Sequence, residues 1–103
     1  MSGVSYPDWK SIVVYSAEGP KPQILAEEGP FKVVLAGLEP GAKIPPHPEG
    51  AAMYHFLEGS GWMVVDDRMF EIKPGATIIT PAGATRGMEA TTRVAFIAAR
   101  MAS

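Results

Sequence analysis

The sequence contains no cysteine. That excludes a disulfide framework, a thiol nucleophile and any cysteine-ligated zinc or iron–sulfur centre. It has only two histidines, so imidazole chemistry rests on His47 and His55 alone. Basic residues are few: nine Lys and Arg stand against eleven Asp and Glu, for a net charge of −2. A chain with that balance has no electrostatic footprint for a nucleic-acid backbone or an anionic membrane. No apolar run approaches the roughly 20 residues of a membrane span. The segment Met1 to Lys10 lacks the basic stretch and apolar core of a secretory signal. The expected location is the cytoplasm. Phosphate-cradling glycine loops, a His-Glu-x-x-His pair and a serine nucleophile elbow are also missing.

What the chain has in quantity is glycine (11) and proline (10), too many for a helical bundle. Short runs of Val, Ile, Phe and Tyr alternate with these turn residues about every 8–12 positions, the pattern of a β-sandwich or barrel. The residues predict strands over Ser11–Tyr15, Gln23–Ala26, Phe31–Leu38, Ala51–Leu57, Trp62–Val65, Met69–Ile72, Thr77–Thr80 and Arg93–Ala99. Asp66-Asp67 reads as a hairpin turn. Helix competes only over Thr92–Met101, where Ala and Arg favour it. The β-branched and aromatic Val94, Phe96 and Ile97 argue for a strand. One internal echo is present: Pro40-Gly41-Ala42 and Pro74-Gly75-Ala76 each precede an extended segment. Two matched turns suit a jelly roll built of two Greek keys.

Two further segments carry a resemblance. Phe56-Leu57-Glu58-Gly59-Ser60-Gly61, and then Gly75-Ala76-Thr77-Ile78-Ile79-Thr80-Pro81-Ala82-Gly83, resemble the two motifs of a small, single-domain, RmlC-like cupin. Gly75, Pro81 and Gly83 fall in the frame of the second motif, and Gly59 fits the closing glycine of the first. The first motif then spans about 41–61 and the second about 75–90. The resemblance implies an all-β, cupin-type jelly-roll barrel of about ten short antiparallel strands, one domain over residues 1–103. It also implies a homodimer, for which Ser11–Tyr15 is the expected contact. A typical cupin holds a metal with three histidines and a glutamate. In this frame the glutamate slot falls on Ala52, and the first-motif histidine slots fall on Pro45 and His47. The second-motif histidine slot is Arg86, and the asparagine slot is Ala90. One of four ligands is kept. A second register, anchored on Gly41, puts Glu49 in the place of a histidine.

Three functions follow. The first is a metal-independent cupin that binds a small anionic metabolite or sugar derivative. Arg86 holds the anion through its planar fork. Tyr54, Phe56, Trp62 and Glu49 are candidates for the pocket wall, with only one of Trp62 and Met63 able to face inward. If such a protein is an enzyme, His47 is the candidate acid or base of an isomerase- or epimerase-like proton transfer. In this reading no cofactor is expected. The second is a rebuilt site for Zn, Fe, Mn or Ni made of His47, Glu49 and His55, with oxygenase- or isomerase-like chemistry. The third is a non-catalytic dimeric interaction module with a filled barrel. Strand alternation sets His55 on the face opposite Ala52, Tyr54 and Phe56, and a one-residue bulge would reverse it.

Overall fold

The computed structural model describes residues 2–102. It comprises β1 (Tyr15–Ser16), β2 (Gln23–Glu28), β3 (Phe31–Leu38), β4 (Lys43–Pro48) and β5 (Ala52–Glu58). These are followed by β6 (Gly61–Val65), β7 (Arg68–Ile72), β8 (Thr77–Thr80), β9 (Thr85–Ala90) and β10 (Val94–Met101). One short 3₁₀ turn, Trp9–Ser11, precedes them. The strands form two sheets. The larger runs β1-β3-β10-β5-β8, with β2 added on β3, and the smaller runs β4-β9-β6-β7. All ladders are antiparallel except the short β1–β3 pair. This is the jelly roll that the turn spacing predicts.

The two repeated turns are the same turn. In each, the fourth residue donates to the first carbonyl, Ala42 to Glu39 and Ala76 to Lys73, both at 3.0 Å. Proline takes the second position and a glycine with positive φ the third, +83° at Gly41 and +85° at Gly75. That is a type II turn, and the third position excludes most other residues.

Residues opposite one another in a ladder share a face, so register builds the interior in layers. On the larger sheet one layer is Val34–Ala98–Tyr54–Ile78, and the next layer inward is Ala36–Phe96–Phe56. On the smaller sheet Ile44–Met88–Met63–Phe70 lie opposite. Buried Val, Leu, Phe, Met and Ala side chains of both sheets merge into one core. At the open end, the layer above reads Lys32–Arg100–Ala52–Thr80 on the larger sheet. It reads His47–Arg86–Val65–Arg68 on the smaller. Sheet register thus gathers Lys32, Arg68, Arg86 and Arg100 at one mouth of the barrel.

Three segments differ from expectation: Ser11–Tyr15, and β9 and β4, which the predicted strands did not include. The predicted strand Ser11–Tyr15 is mostly not a strand. Asp8 caps the 3₁₀ turn by accepting from the Lys10 amide, and ladder pairing is confined to Tyr15–Ser16. Its apolar residues have another use: Val13 and Tyr15 pack over Gly37, where a Cβ would strike the Tyr15 ring at 2.7 Å. The Tyr6 hydroxyl donates to the Leu25 carbonyl and ties the segment across β2. Apolar composition signalled burial on the outside of β3 rather than a ladder. Conversely, β9 escaped the residue pattern because Arg86, Gly87 and Glu89 break its apolar run. It is nonetheless central, with Arg86, Gly87, Met88 and Ala90 buried. The edge strand β4 tolerates Pro45, Pro46 and Pro48 because it has a partner on one side only.

Candidate functional site

The open end leads into a cavity of about 90 Å³. Val34, Ala36, Met63, Met88, Phe96 and Ala98 give it apolar walls, while Tyr54, Arg86, His47, Glu49 and Arg100 supply its polar groups. Space of this size holds about three waters or a few non-hydrogen atoms of a ligand.

Arg86 faces inward and is 2% exposed. Its fork is committed to backbone. Nε donates to Ala84 O (3.1 Å), Nη1 to Gly50 O (2.8 Å), and Nη2 to Ala84 O (2.9 Å), Glu49 O (3.1 Å) and Pro81 O (3.1 Å). Four carbonyl dipoles therefore solvate a charge that would otherwise be costly to bury. They also stitch the β4–β5 connection to the β8–β9 turn. A free bidentate grip on an anion, as the sequence suggested, is replaced by a fixed positive charge beneath the cavity.

Tyr54 sits beside that charge. Burial pushes its phenol above the ordinary value, and the hydrogen bond and charge of Arg86 oppose the rise. The Arg86 guanidinium has no acceptor to offer, so the phenol keeps its proton for another acceptor. Its ring lies 6.0 Å from that of Phe96.

His47 and Glu49 stand at the rim as a pair. His47 Nε2 is 3.0 Å from Glu49 Oε2, and Nδ1 is 3.0 Å from Pro45 O. Both neighbours are acceptors, and each can take a hydrogen bond from the ring nitrogen that faces it. Arg100 Nη1 holds the same carboxylate from the other side, 3.2 Å from each oxygen. The sequence reading missed Arg100. The signal was alternation: Val94, Phe96 and Ala98 face the core, so position 100 shares their face. The predicted strand stopped one residue short of it.

The other candidates disperse. Phe56 is fully buried, 5.7 Å ring to ring from Phe96, and fills the core below the cavity. Trp62 is corrected: it is 44% exposed on the outer face of the smaller sheet, and the alternation gives the inner place to Met63. His55 lies on the outer face of β5, where its Nδ1 meets Thr77 Oγ1 at 2.8 Å. Strand register therefore separates it from His47 and Glu49, and the three cannot share one ion. Among the described residues no three His, Asp or Glu side chains are grouped to hold a metal. The residues do not fit the metal implied by the family. Arg86 has no lone pair to offer, Ala52 has no donor, and His47 and Glu49 already bind each other.

Fold, turns and site geometry define a small jelly-roll barrel, and comparison places it. The profile of the Cupin domain matches residues 34–99, more than half of the chain; the chain belongs to the cupin family. Solved structures agree on the fold. A conserved protein of unknown function from Streptococcus pyogenes superposes with a TM-score of 0.84 at 19% identity, covering 100% of this chain and 91% of that one. An RmlC-like cupin from Desulfovibrio desulfuricans gives 0.84 at 23% identity, with 97% of each chain covered. A Klebsiella pneumoniae protein with a double-stranded β-helix domain gives 0.84 at 18%, covering 97% and 91%. No curated protein matches the sequence. Among the described residues, no helix is long and apolar enough to cross a membrane.

Proposed function

We propose that this cupin binds a small anionic metabolite, a short carboxylic acid or an acidic sugar derivative, at the mouth of its barrel. The observation that carries the reading is the charge at that mouth. A chain of net charge −2 places Arg86 and Arg100 around one cavity, with Glu49 as the only acid in its lining. Lys32 at the rim has its own acid, Glu27, at 3.9 Å. The apolar walls suit a short hydrocarbon body, and the cavity of about 90 Å³ limits that body to a few carbons. In this reading Arg86 supplies fixed charge, Tyr54 donates its free proton, and Arg100 makes the direct contact. Binding is the assigned activity. Proton transfer by His47 would require Nε2 to exchange Glu49 for a substrate.

Calorimetry and thermal shift with acetate, butyrate, pyruvate and glucose 6-phosphate test it. At least one should stabilise the protein saturably, less so at high salt. Tyr54→Phe should weaken that binding about tenfold, the worth of one hydrogen bond to a charged group. If no probe binds, or if Tyr54→Phe and Arg100→Met bind as the parent does, the reading is wrong.

A second reading, self-association, rests on a different observation. The outer face of the larger sheet carries an apolar row, Val33–Ala99–Met53–Ile79, flanked by the pair Phe31–Met101. Ile79 is 66% exposed. A one-sided antiparallel sheet ordinarily turns polar residues outward. These rows hold no charge, so two copies meet without like-charge repulsion. We propose a homodimer through this face. The segment Ser11–Tyr15, the contact expected from the sequence, lies over the chain's own β3 and is the alternative face. Sedimentation should give twice 11.0 kDa, and Ile79→Lys should give the monomer. A monomeric parent refutes the contact.

A further inference from the structure

Glu49 occupies the position an anionic ligand would need. Its backbone is fixed: its carbonyl accepts from Arg86 Nη2 at 3.1 Å and from the Gly83 amide at 2.8 Å. Only the side chain is free to move, and it is partly exposed. It lays its carboxylate between Arg100 and His47, the two nitrogen donors that remain accessible from the mouth.

The Arg100 contact is not a fork. One nitrogen, Nη1, touches both oxygens at 3.2 Å. Among the described residues Nε and Nη2 of Arg100 have no hydrogen-bond partner. Two donor nitrogens of the guanidinium thus remain for a second carboxylate, which they can hold in the stronger bidentate geometry.

The Glu49–Arg100 pair is also a partition. Outside it lies a polar cleft of about 320 Å³, lined by Lys32, Glu27, Gly50 and the end of β10. The inner cavity and this cleft share two lining residues, Glu49 and Arg100.

We infer that Glu49 is an internal competitor that neutralises the charge of Arg100 until a short-chain monocarboxylate draws the guanidinium onto its free edge. This inference rests on the proposed anion site and adds its ligand class and its control. The incoming carboxylate takes the fork of Arg100, its alkyl end enters the apolar cavity, and Glu49 stays with His47. The chain's own carboxylate lowers affinity by neutralising Arg100 and by repelling a like charge, and neutral molecules cannot draw the guanidinium away from it.

The test measures butyrate and butyramide binding to the parent, Glu49→Gln, Arg100→Met and the double variant by calorimetry at low salt. Glutamine keeps the size of the side chain and removes its charge. Glu49→Gln should bind butyrate about two- to fivefold more tightly than the parent, the upper range for one partly exposed ion pair. Butyramide should show no such gain. The gain should vanish when Arg100→Met is present, because the competed group is gone. Unfolding midpoints establish that each variant is folded, and Glu49→Ala serves if Glu49→Gln is not. A parent that binds butyrate while Glu49→Gln binds it equally or more weakly overturns the competitor and leaves the anion site standing. A gain shared by butyramide overturns it too, since charge is then not what competes. Failure of both proteins to bind any carboxylate overturns the anion site and this inference together.

Discussion

Arg86 provides the sharpest test of the physical account. Replacing it with methionine keeps length and removes the charge and all five hydrogen bonds. Three of those bonds are fully buried and end on two carbonyls, Ala84 O and Gly50 O. The carbonyls of Glu49 and Pro81 are met by Nη2 in partly buried surroundings, so water can replace their partner. Each buried carbonyl left unpaired costs about 1–3 kcal/mol. No charge is stranded, because the cation itself is deleted, and its own desolvation cost disappears. The expected net loss is about 2–4 kcal/mol, a large part of the roughly 5–15 kcal/mol that holds a domain together. For a chain of this size that lowers the melting temperature by roughly 10–30 °C. Denaturant unfolding followed by circular dichroism measures it. Arg86→Lys should fall between parent and Arg86→Met, since one ammonium cannot span carbonyls from two separate connections. Hydrogen exchange gives a local readout. The Gly83 amide, bonded to Glu49 O at 2.8 Å, should lose protection before the β3–β10 ladder does. An Arg86→Met protein within about 1 kcal/mol of the parent would show that the carbonyl cage does not hold the mouth together.

Gly59 tests the close approach of two connections. Its φ is +92°, and a Cβ there would collide with the Arg93 carbonyl and with Val94 Cα. Gly59→Ala should therefore cost at least about 2 kcal/mol in chemical denaturation, and a neutral result would refute that packing. Tyr15 sets an alkaline limit. Burial, and then the hydrogen bond its hydroxyl donates to Glu58 at 2.9 Å, raise its phenol from 10.0 to about 12. The fold favours the protonated phenol, so this stabilisation is whole below pH 10 and is lost as pH rises through about 12. Ultraviolet titration should find one tyrosine ionising near pH 12, and Tyr15→Phe should flatten the fall in stability over that window. Ionisation of every tyrosine near pH 10 would contradict the burial.

Much of the fold was legible because its causes are local. Pro-Gly pairs force turns, and alternation divides each strand into two faces. Val, Ile and Phe at positions 94–97 chose a strand over a helix. The same alternation placed Tyr54 and Phe56 inside and His55 outside, and left one inward place for Trp62 and Met63. The frame of Gly75, Pro81 and Gly83 marked Arg86 as the cation inside the barrel. Even Arg100 was within reach, one residue past the end of a predicted strand.

Periodicity states which face a side chain takes, but not what it meets there. The partners of Arg86 are carbonyls at 49, 50, 81 and 84, supplied by two connections that approach only when the barrel closes. No pattern in the residues distinguishes that cage from an open anion grip. The meeting of Glu49 with Arg100, 51 positions apart in the chain, depends on the register of β10 against β5. A shift of one residue would turn Arg100 outward and leave Glu49 with His47 alone. The N-terminal residues show the same division. Their apolar character announced burial, and only the tertiary structure decided that the buried surface is the back of β3. The sequence by itself determined the barrel, its turns and the facing of its side chains. Long-range register decided which of those side chains act together, because that choice is made by backbone pairing between strands distant in the chain.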